Sequence, residues 1–177
     1  MNTFRVEEYD TDKGPVYLKH YASHFAPFQS QPINLLELGV HRGGSLKMWR
    51  DYFRYGQIFG VDLNPPRMDE CERIHMFAGD AGDPATFDTI ESVTGCGVFD
   101  IIIDDASHIG SISQRSFATL FDKRLKPGGV YVIEDWGTGY FKDWPDGHVY
   151  VPPTQTLDGN DPRFRFHSHD YGMVGWL

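Results

Sequence analysis

The sequence predicts an α/β fold of the Rossmann-like, doubly wound kind: a mostly parallel sheet of about five strands in the order 3-2-1-4-5, with helices on both faces. Three observations predict it. Five short apolar runs recur along the chain: INLLEL (33–38), IFGVDL (58–63), IHMFAGD (74–80), VFDIIID (98–104) and VYVIED (130–135). They are near-continuous in Ile, Val, Leu and Phe, the pattern of strands buried on both faces. Segments with helical spacing separate them, and strand alternating with helix builds an open parallel sheet with right-handed crossovers.

Taken in order, residues 1–32 form an arm, helical or irregular, in which Tyr17, Tyr21, His24 and Phe25 can pack as an aromatic stripe. After the first run, LELGVHRGGS (36–45) is a glycine-rich turn, and Leu46, Trp49 and Phe53 beyond it fall at helical spacing. PATFDTIESV (84–93) opens with proline, which suits a first helical turn. The clearest helix follows the fourth run. Ser111 and Gln114 have capping-box spacing, and Phe117, Leu120, Phe121 and Leu125 make an apolar stripe. Lys123, Arg124 and Lys126 complement the dipole before Pro127, Gly128 and Gly129 stop the helix. Residues 136–177 carry Trp136, Tyr140, Phe141, Trp144, Tyr150, Phe164, Phe166 and Tyr171 among many Pro, Gly and Asp, without a sustained period. Such a stretch beside a compact core reads as a lid or tail, and its aromatic content argues against disorder. The expected organisation is one domain over 1–177, with an arm (1–32), a ligand-binding core (33–135) and an aromatic lid or tail (136–177).

Composition narrows the classes. With 177 residues, 40% hydrophobic and 23% charged, the chain suits one globular domain. A domain of this size buries roughly 70% of its unfolded surface, so Cys71 and Cys96 are expected to be free thiols. No run of 18 apolar residues exists, and Glu7, Glu8 and Asp10 stand where a signal peptide needs an apolar core. A cytoplasmic protein with no membrane partner is therefore expected. The formal charge of −9 argues against binding of nucleic acid, which needs a positive footprint, and leaves a small molecule as the expected partner.

Every predicted strand ends in acid: Glu37, Asp62, Asp80, the pair Asp104 and Asp105, and the pair Glu134 and Asp135. Ligands of open α/β sheets bind outside the carboxyl ends of the strands, so these seven carboxylates are expected to converge on one crevice, while any single one can also serve as a helix cap. The glycines at 39, 43 and 44 match neither the dinucleotide G-x-G-x-x-G spacing nor a P-loop. Glu37 beside that turn would repel a pyrophosphate and welcome a positive ligand. S-adenosylmethionine, with its sulfonium and α-amino group, is such a ligand, and Asp62 is placed to accept its ribose hydroxyls.

These residues resemble the class I S-adenosylmethionine-dependent methyltransferases. Glu37, Gly39 and Gly43 look like the first motif of that family, Asp62 like the ribose acid, and Gly79 with Asp80 like the turn beside the adenine. A narrower resemblance lies in DIIIDDASH (100–108) and VYVIED (130–135), which are similar to the metal-dependent O-methyltransferases of macrolide sugars. That resemblance implies Asp105, Glu134 and Asp135 as Mg²⁺ ligands, His108 as the catalytic base and Asp104 toward the cofactor. DTDKG (10–14) with Tyr17 also resembles a segment preceding related bacterial domains, and contact with cofactor or substrate is the only role it implies.

The chemistry suits those residue types. Mg²⁺ takes oxygen ligands and keeps open positions. A sugar hydroxyl is a poor nucleophile, which a cation acidifies and a histidine deprotonates. His108 lies three residues beyond Asp105, close enough to serve the same hydroxyl. Clustering Asp104, Asp105, Glu134 and Asp135 without a cation would raise some of their pKa values. Of the other histidines, His41 can touch cofactor, while His167 and His169 read as a solvated pair.

The family closes its sheet with an antiparallel hairpin after the fifth strand, and no such segment is found here. A truncated or naturally shortened relative is therefore expected, with an exposed fifth-strand edge that a homodimer or higher homo-oligomer would cover. The function expected is Mg²⁺-dependent O-methylation of a hydroxyl on a sugar or small natural product. The alternatives are a hydroxylase-like oxidoreductase of the same fold and a non-catalytic S-adenosylmethionine-binding module.

Overall fold

A computed structural model describes residues 4, 6–68, 71–135, 137–138 and 143–144. Nearly all of the aromatic segment, with His167 and His169, lies outside the described residues. The elements in order are α1 (Pro15–Phe25), β1 (Asn34–Leu38), α2 (Gly44–Tyr52), β2 (Gln57–Asp62), β3 (Ile74–Ala78), α3 (Pro84–Thr94), β4 (Phe99–Asp104), α4 (Gly110–Arg124) and β5 (Leu125–Ile133). The strands form one sheet in the order β3-β2-β1-β4-β5, and every neighbouring pair is parallel. The expected fold class and strand order are those observed.

Local chemistry accounts for most element ends. Pro15 opens α1, and Asp83 caps α3 by accepting a hydrogen bond from the Ala85 N–H. Gly95 closes α3 in the left-handed conformation, φ +73°. Two expectations at α4 are corrected. The chain enters this helix at Gly110 with Ile109 in the capping place and no side-chain cap, so Ser111 sits inside the first turn and its box with Gln114 does not form. At the other end α4 stops at Arg124 and β5 begins at once. Phe99 pairs with Leu125 but Ile101 already pairs with Val130, so Pro127, Gly128 and Gly129 lie within a register shift of the edge strand. Arg124 instead ties α4 to α3, reaching Asp88, Glu91 and the Gly97 carbonyl.

The two-residue period of the strands sorts the core into two layers. Leu35 of β1, Ile58 of β2 and Ile101 and Ile103 of β4 pack with Leu18, Tyr21 and Phe25 of α1 and Leu46 and Trp49 of α2. Leu36, Leu38, Phe59, Val61 and Ile102, on the opposite parity, pack with Phe87 and Ile90 of α3 and Leu120 of α4. β1, β2 and β4 are buried almost throughout, whereas the edge strands β3 and β5 are only half-buried. The same parity decides where each acid at a strand end can point.

Candidate active site

The sheet reverses its winding between β1 and β4, and ligand crevices open at such switch points. Gly39, at φ +79°, turns the chain out of β1 and lies flat against the end of β4, so that an added Cβ would stand 2.3 Å from the Asp105 carbonyl oxygen. That close approach opens two adjoining cavities that share Gly39, Asp62 and Ala106. The smaller, about 190 Å³, runs past Asp62, Gly79, Asp80, Ile112 and Arg115. The larger, about 530 Å³, is bordered by Asp10, His41, Ser45, Asp105, His108, Asp135 and Trp144.

Parity brings three acids to the α1 and α2 side of the sheet. Glu37 shares the face of Leu35, Asp105 follows Ile101 and Ile103, and Glu134 follows Val130 and Val132, which pack against that same core. Isolated carboxylates buried there would be very costly. The ammonium of Lys13, only 4% exposed, lies among all three: 2.6 Å from Glu134 Oε1, 2.8 Å from Asp105 Oδ2 and 3.1 Å from Glu37 Oε1. Burial disfavours the Lys13 charge, but the three carboxylates outweigh it and hold the amine protonated, with its pKa above the ordinary value. Burial also pushes the pKa values of Asp105 and Glu134 up, against the opposing pull of Lys13. The Tyr21 hydroxyl donates to Glu134 Oε1, and the Ser45 hydroxyl donates to Glu37 Oε2 at 2.7 Å.

Asp105 keeps its second oxygen for the cleft. Its Oδ1 lies 3.9 Å from His108 Nε2, which is 4.0 Å from Asp135 Oδ2, and one ligand atom from each of the three lies within 4.8 Å of the others. Three non-glycine residues bordering this cleft have left-handed backbones, His41 (φ 46°), His108 (φ 53°) and Asp135 (φ 50°). Strain of that kind collects at functional sites. The Tyr17 hydroxyl donates to Asp135 Oδ1 at 2.7 Å, and burial followed by that bond pushes its pKa up to about 12. The Trp144 ring stands edge-on to His108, centroids 5.4 Å apart, and forms an outer wall of the cleft.

The smaller cavity receives two of the expected cofactor acids. Asp62 accepts from the Val40 N–H (3.0 Å) and the Asn64 N–H (2.8 Å), which fixes both oxygens while leaving lone pairs toward the cavity. Asp80 accepts from the Gly82 N–H and, through both oxygens, from Arg115 at 3.1 and 2.9 Å. Gly39 borders both cavities, and Gly43, also left-handed, stands in the capping place just before α2. The convergence of all seven carboxylates is not found. Glu37 is fully buried and engaged by Lys13 and Ser45, so its charge is met from within the protein. Asp104 has the parity of Ile102 and turns to the α3 and α4 side, where it accepts from the Ala106 N–H (3.4 Å) and stands near Ser113. Burial pushes its pKa up to about 6 despite those bonds. Arg115 is a site neighbour that the sequence pattern does not mark, Tyr21 and Trp144 are marked there only as packing and lid aromatics, and Lys13 only as part of the DTDKG segment (10–14).

The donor chemistry fits a hard divalent cation. Asp105 Oδ1 and Asp135 Oδ2 are carboxylate oxygens facing one small space, and the single Lys13 ammonium is shared by the three carboxylates Glu37, Asp105 and Glu134.

A parallel sheet in this order, with a glycine turn at the β1/β4 switch point and an acid ending β2, defines a Rossmann-like fold of the methyltransferase class. Individual proteins place it further, although no family model matches the chain. It is 40% identical over 136 residues to the 8-demethyl-8-alpha-L-rhamnosyl tetracenomycin-C 2'-O-methyltransferase of Streptomyces olivaceus, covering 73% of this chain and 34% of that protein. It is 42% identical over 137 residues to the mycinamicin VI 2''-O-methyltransferase of Micromonospora griseorubida, covering 73% and 33%. Among solved structures, the MycE methyltransferase of mycinamycin biosynthesis in complex with Mg and SAH superposes with a TM-score of 0.70 at 36% identity, over 81% of this chain and 39% of that one. By sequence and fold the chain belongs to the S-adenosylmethionine-dependent methyltransferase family that these proteins represent. It spans about a third of the length of the curated relatives it matches.

Proposed function

We propose that the chain is the cofactor- and metal-binding domain of a Mg²⁺-dependent O-methyltransferase that acts on a hydroxyl of a sugar or related small natural product. The observation that carries this reading is the meeting of Asp105, His108 and Asp135 on the wall of a cleft whose other half is built on Gly39 and Asp62. The relatives that carry sugar O-methyltransferase names support it.

In this reading Asp62 accepts the ribose hydroxyls of S-adenosylmethionine. Asp80 and Arg115 flank the adenine end, and Gly39 and Gly43 keep the turn narrow enough for close approach. Asp105 and Asp135 hold Mg²⁺, with Glu134 adjoining, and the ion when bound supplies Lewis acidity toward an oxygen nucleophile. His108 Nε2, between the two aspartates, takes the proton of the acceptor hydroxyl. Its backbone is fixed by Thr138, whose hydroxyl donates to the His108 carbonyl at 2.9 Å, so the ring is aimed by the segment after β5. Trp144 offers an apolar face at the cleft mouth on which a sugar ring can lie. Orientation of two bound reactants can then supply about 7–11 kcal/mol of the barrier to methyl transfer.

Calorimetric titration of S-adenosylmethionine, and separately of NAD, with and without Mg²⁺ tests the reading. Micromolar binding of S-adenosylmethionine and none of NAD is expected, and the reverse preference would refute it. His108→Asn should lower kcat toward a hydroxylated acceptor by about 10²–10⁴ while leaving cofactor affinity within a few-fold. An unchanged kcat would remove His108 from the mechanism.

A further inference from the structure

We propose that Lys13 is a resident counter-charge that shares the acid cluster with the divalent cation and keeps the cluster's hold on that cation loose. The inference rests on the metal reading above and gives Lys13 a role different from the contact with cofactor or substrate that the DTDKG resemblance implies. Three observations carry it.

The first is geometric. The Lys13 ammonium stands 2.8 Å from one oxygen of Asp105 while the other oxygen faces His108 and Asp135, so a single carboxylate serves both the lysine and the candidate cation site. Glu134 Oε1 is likewise taken by Lys13 and Tyr21. A cation entering between Asp105 and Asp135 therefore meets only part of the available carboxylate oxygen, and positions are left for acceptor and water.

The second is that the lysine is built in. Its segment is tied to the core on either side. Asp10 lies against Gly44 so closely that a Cβ there would meet its carbonyl oxygen, Tyr9 donates to Asp51 at 2.8 Å, and α1 begins at once after Gly14. Tyr17 and Tyr21 of that helix hold Asp135 and Glu134. One short stretch of chain thus places a cation and two hydroxyls on four acids, Glu37, Asp105, Glu134 and Asp135, at the ends of three strands.

The third is charge. Three carboxylates face one ammonium, and a fourth, Asp135, shares the cleft with Asp105, an imbalance that a dication relieves and that loss of the ammonium would deepen. A lysine present only to fill space or stiffen the fold would not alter cation affinity in a folded variant. A resident counter-charge must.

The experiment is Mg²⁺ titration by calorimetry, with thermal unfolding followed at several Mg²⁺ concentrations, on the native chain, Lys13→Met, Lys13→Gln and Lys13→Arg. Removing the charge should tighten Mg²⁺ binding by about tenfold or more and enlarge the Mg²⁺-dependent rise in Tm, whereas Lys13→Arg, which keeps the charge, should stay near native. Should the neutral variants fail to fold alone, recovery of their far-ultraviolet spectrum on adding Mg²⁺ is expected, and no recovery overturns the proposal. Native-like or weaker Mg²⁺ binding in folded Lys13→Met and Lys13→Gln overturns it while leaving the metal reading intact. No Mg²⁺ binding by any of the four chains overturns both.

Discussion

Gly39→Ala tests the contact on which the cleft depends. Gly39 sits at φ +79°, and a methyl group there would lie 2.3 Å from the Asp105 carbonyl oxygen and 2.6 Å from Ala106 Cα, both of them backbone atoms that no side-chain rotation can move. The left-handed conformation costs a non-glycine residue roughly 1–2 kcal/mol, and forcing a methyl into packed backbone costs roughly 1–3 kcal/mol more. A loss of roughly 2–5 kcal/mol follows, which lowers Tm by about 5–20 °C for a domain of this size. Two other glycines separate the terms. Gly95 has φ +73° but nothing within 4 Å of its added Cβ, so Gly95→Ala should show the conformational part alone. Gly14 has neither the positive φ nor a neighbour within 4 Å, and Gly14→Ala should cost little. Urea unfolding of the three variants, followed by circular dichroism, gives the comparison. Equal losses in Gly39→Ala and Gly95→Ala would refute the claim that the β1 turn is packed against the end of β4. Because the clash falls on Asp105, the folded fraction of Gly39→Ala should also bind Mg²⁺ more weakly.

Two further outcomes are expected. Asp104, 2% exposed, has its carboxyl pKa raised from the ordinary 3.8 to about 6, so the folded state prefers the protonated form. The stability this contributes is fully present below pH ~3.8 and is lost as pH rises through ~6, about 3 kcal/mol in all. The unfolding free energy of Asp104→Asn relative to native should therefore move in the variant's favour between pH 4 and 7, and a pH-independent difference in urea midpoints would contradict the assignment. Trp49 is fully buried, with Phe4, Tyr21 and Phe25 edge-on at 5.5, 5.2 and 5.9 Å. Trp49→Ala should cost about 3–5 kcal/mol by calorimetry, and a loss under about 1 kcal/mol would mean that the α1 to α2 contact is not a core contact.

The sheet was legible because burial on both faces writes itself as unbroken apolar runs, and β1, β2 and β4 fall where the runs for them lie. The ends of α4 were not legible. Its start depends on Ile109, a residue with no capping chemistry, and its end on a register shift that lets Pro127, Gly128 and Gly129 continue an edge strand. Edge strands tolerate proline and glycine because one side of the ladder is unpaired, and a sequence pattern cannot tell such a strand from a helix stop. His108, Asp105 and Asp135, expected at the metal site, come together, whereas Glu37 and Asp104, expected at the cofactor, are engaged by protein groups.

The signal that separates those two groups was present in the chain as parity. Along β1 and β4 successive side chains alternate faces, so Asp104 must follow Ile102 and Asp105 must follow Ile103, and only one of two adjacent aspartates can meet Glu37 across the sheet. Glu37, Asp105 and Glu134 then share one face beneath α1 and α2, and three buried carboxylates on one face require a cation that the same fold can reach. Neither β1 nor β5 ends with a basic residue, and the turn cation Arg42 is exposed and pairs with Asp10. The charge has to come from a segment that crosses that face, and the lysine just before α1 is placed to supply it. The arm is therefore part of the site's electrostatics: its removal would leave three carboxylates buried without their shared partner. A variant lacking residues 1–14 should accordingly be unstable at neutral pH and gain stability on acidification, as the stranded acids protonate. Full stability of that variant at pH 7 would mean that the ion cluster contributes nothing to the fold.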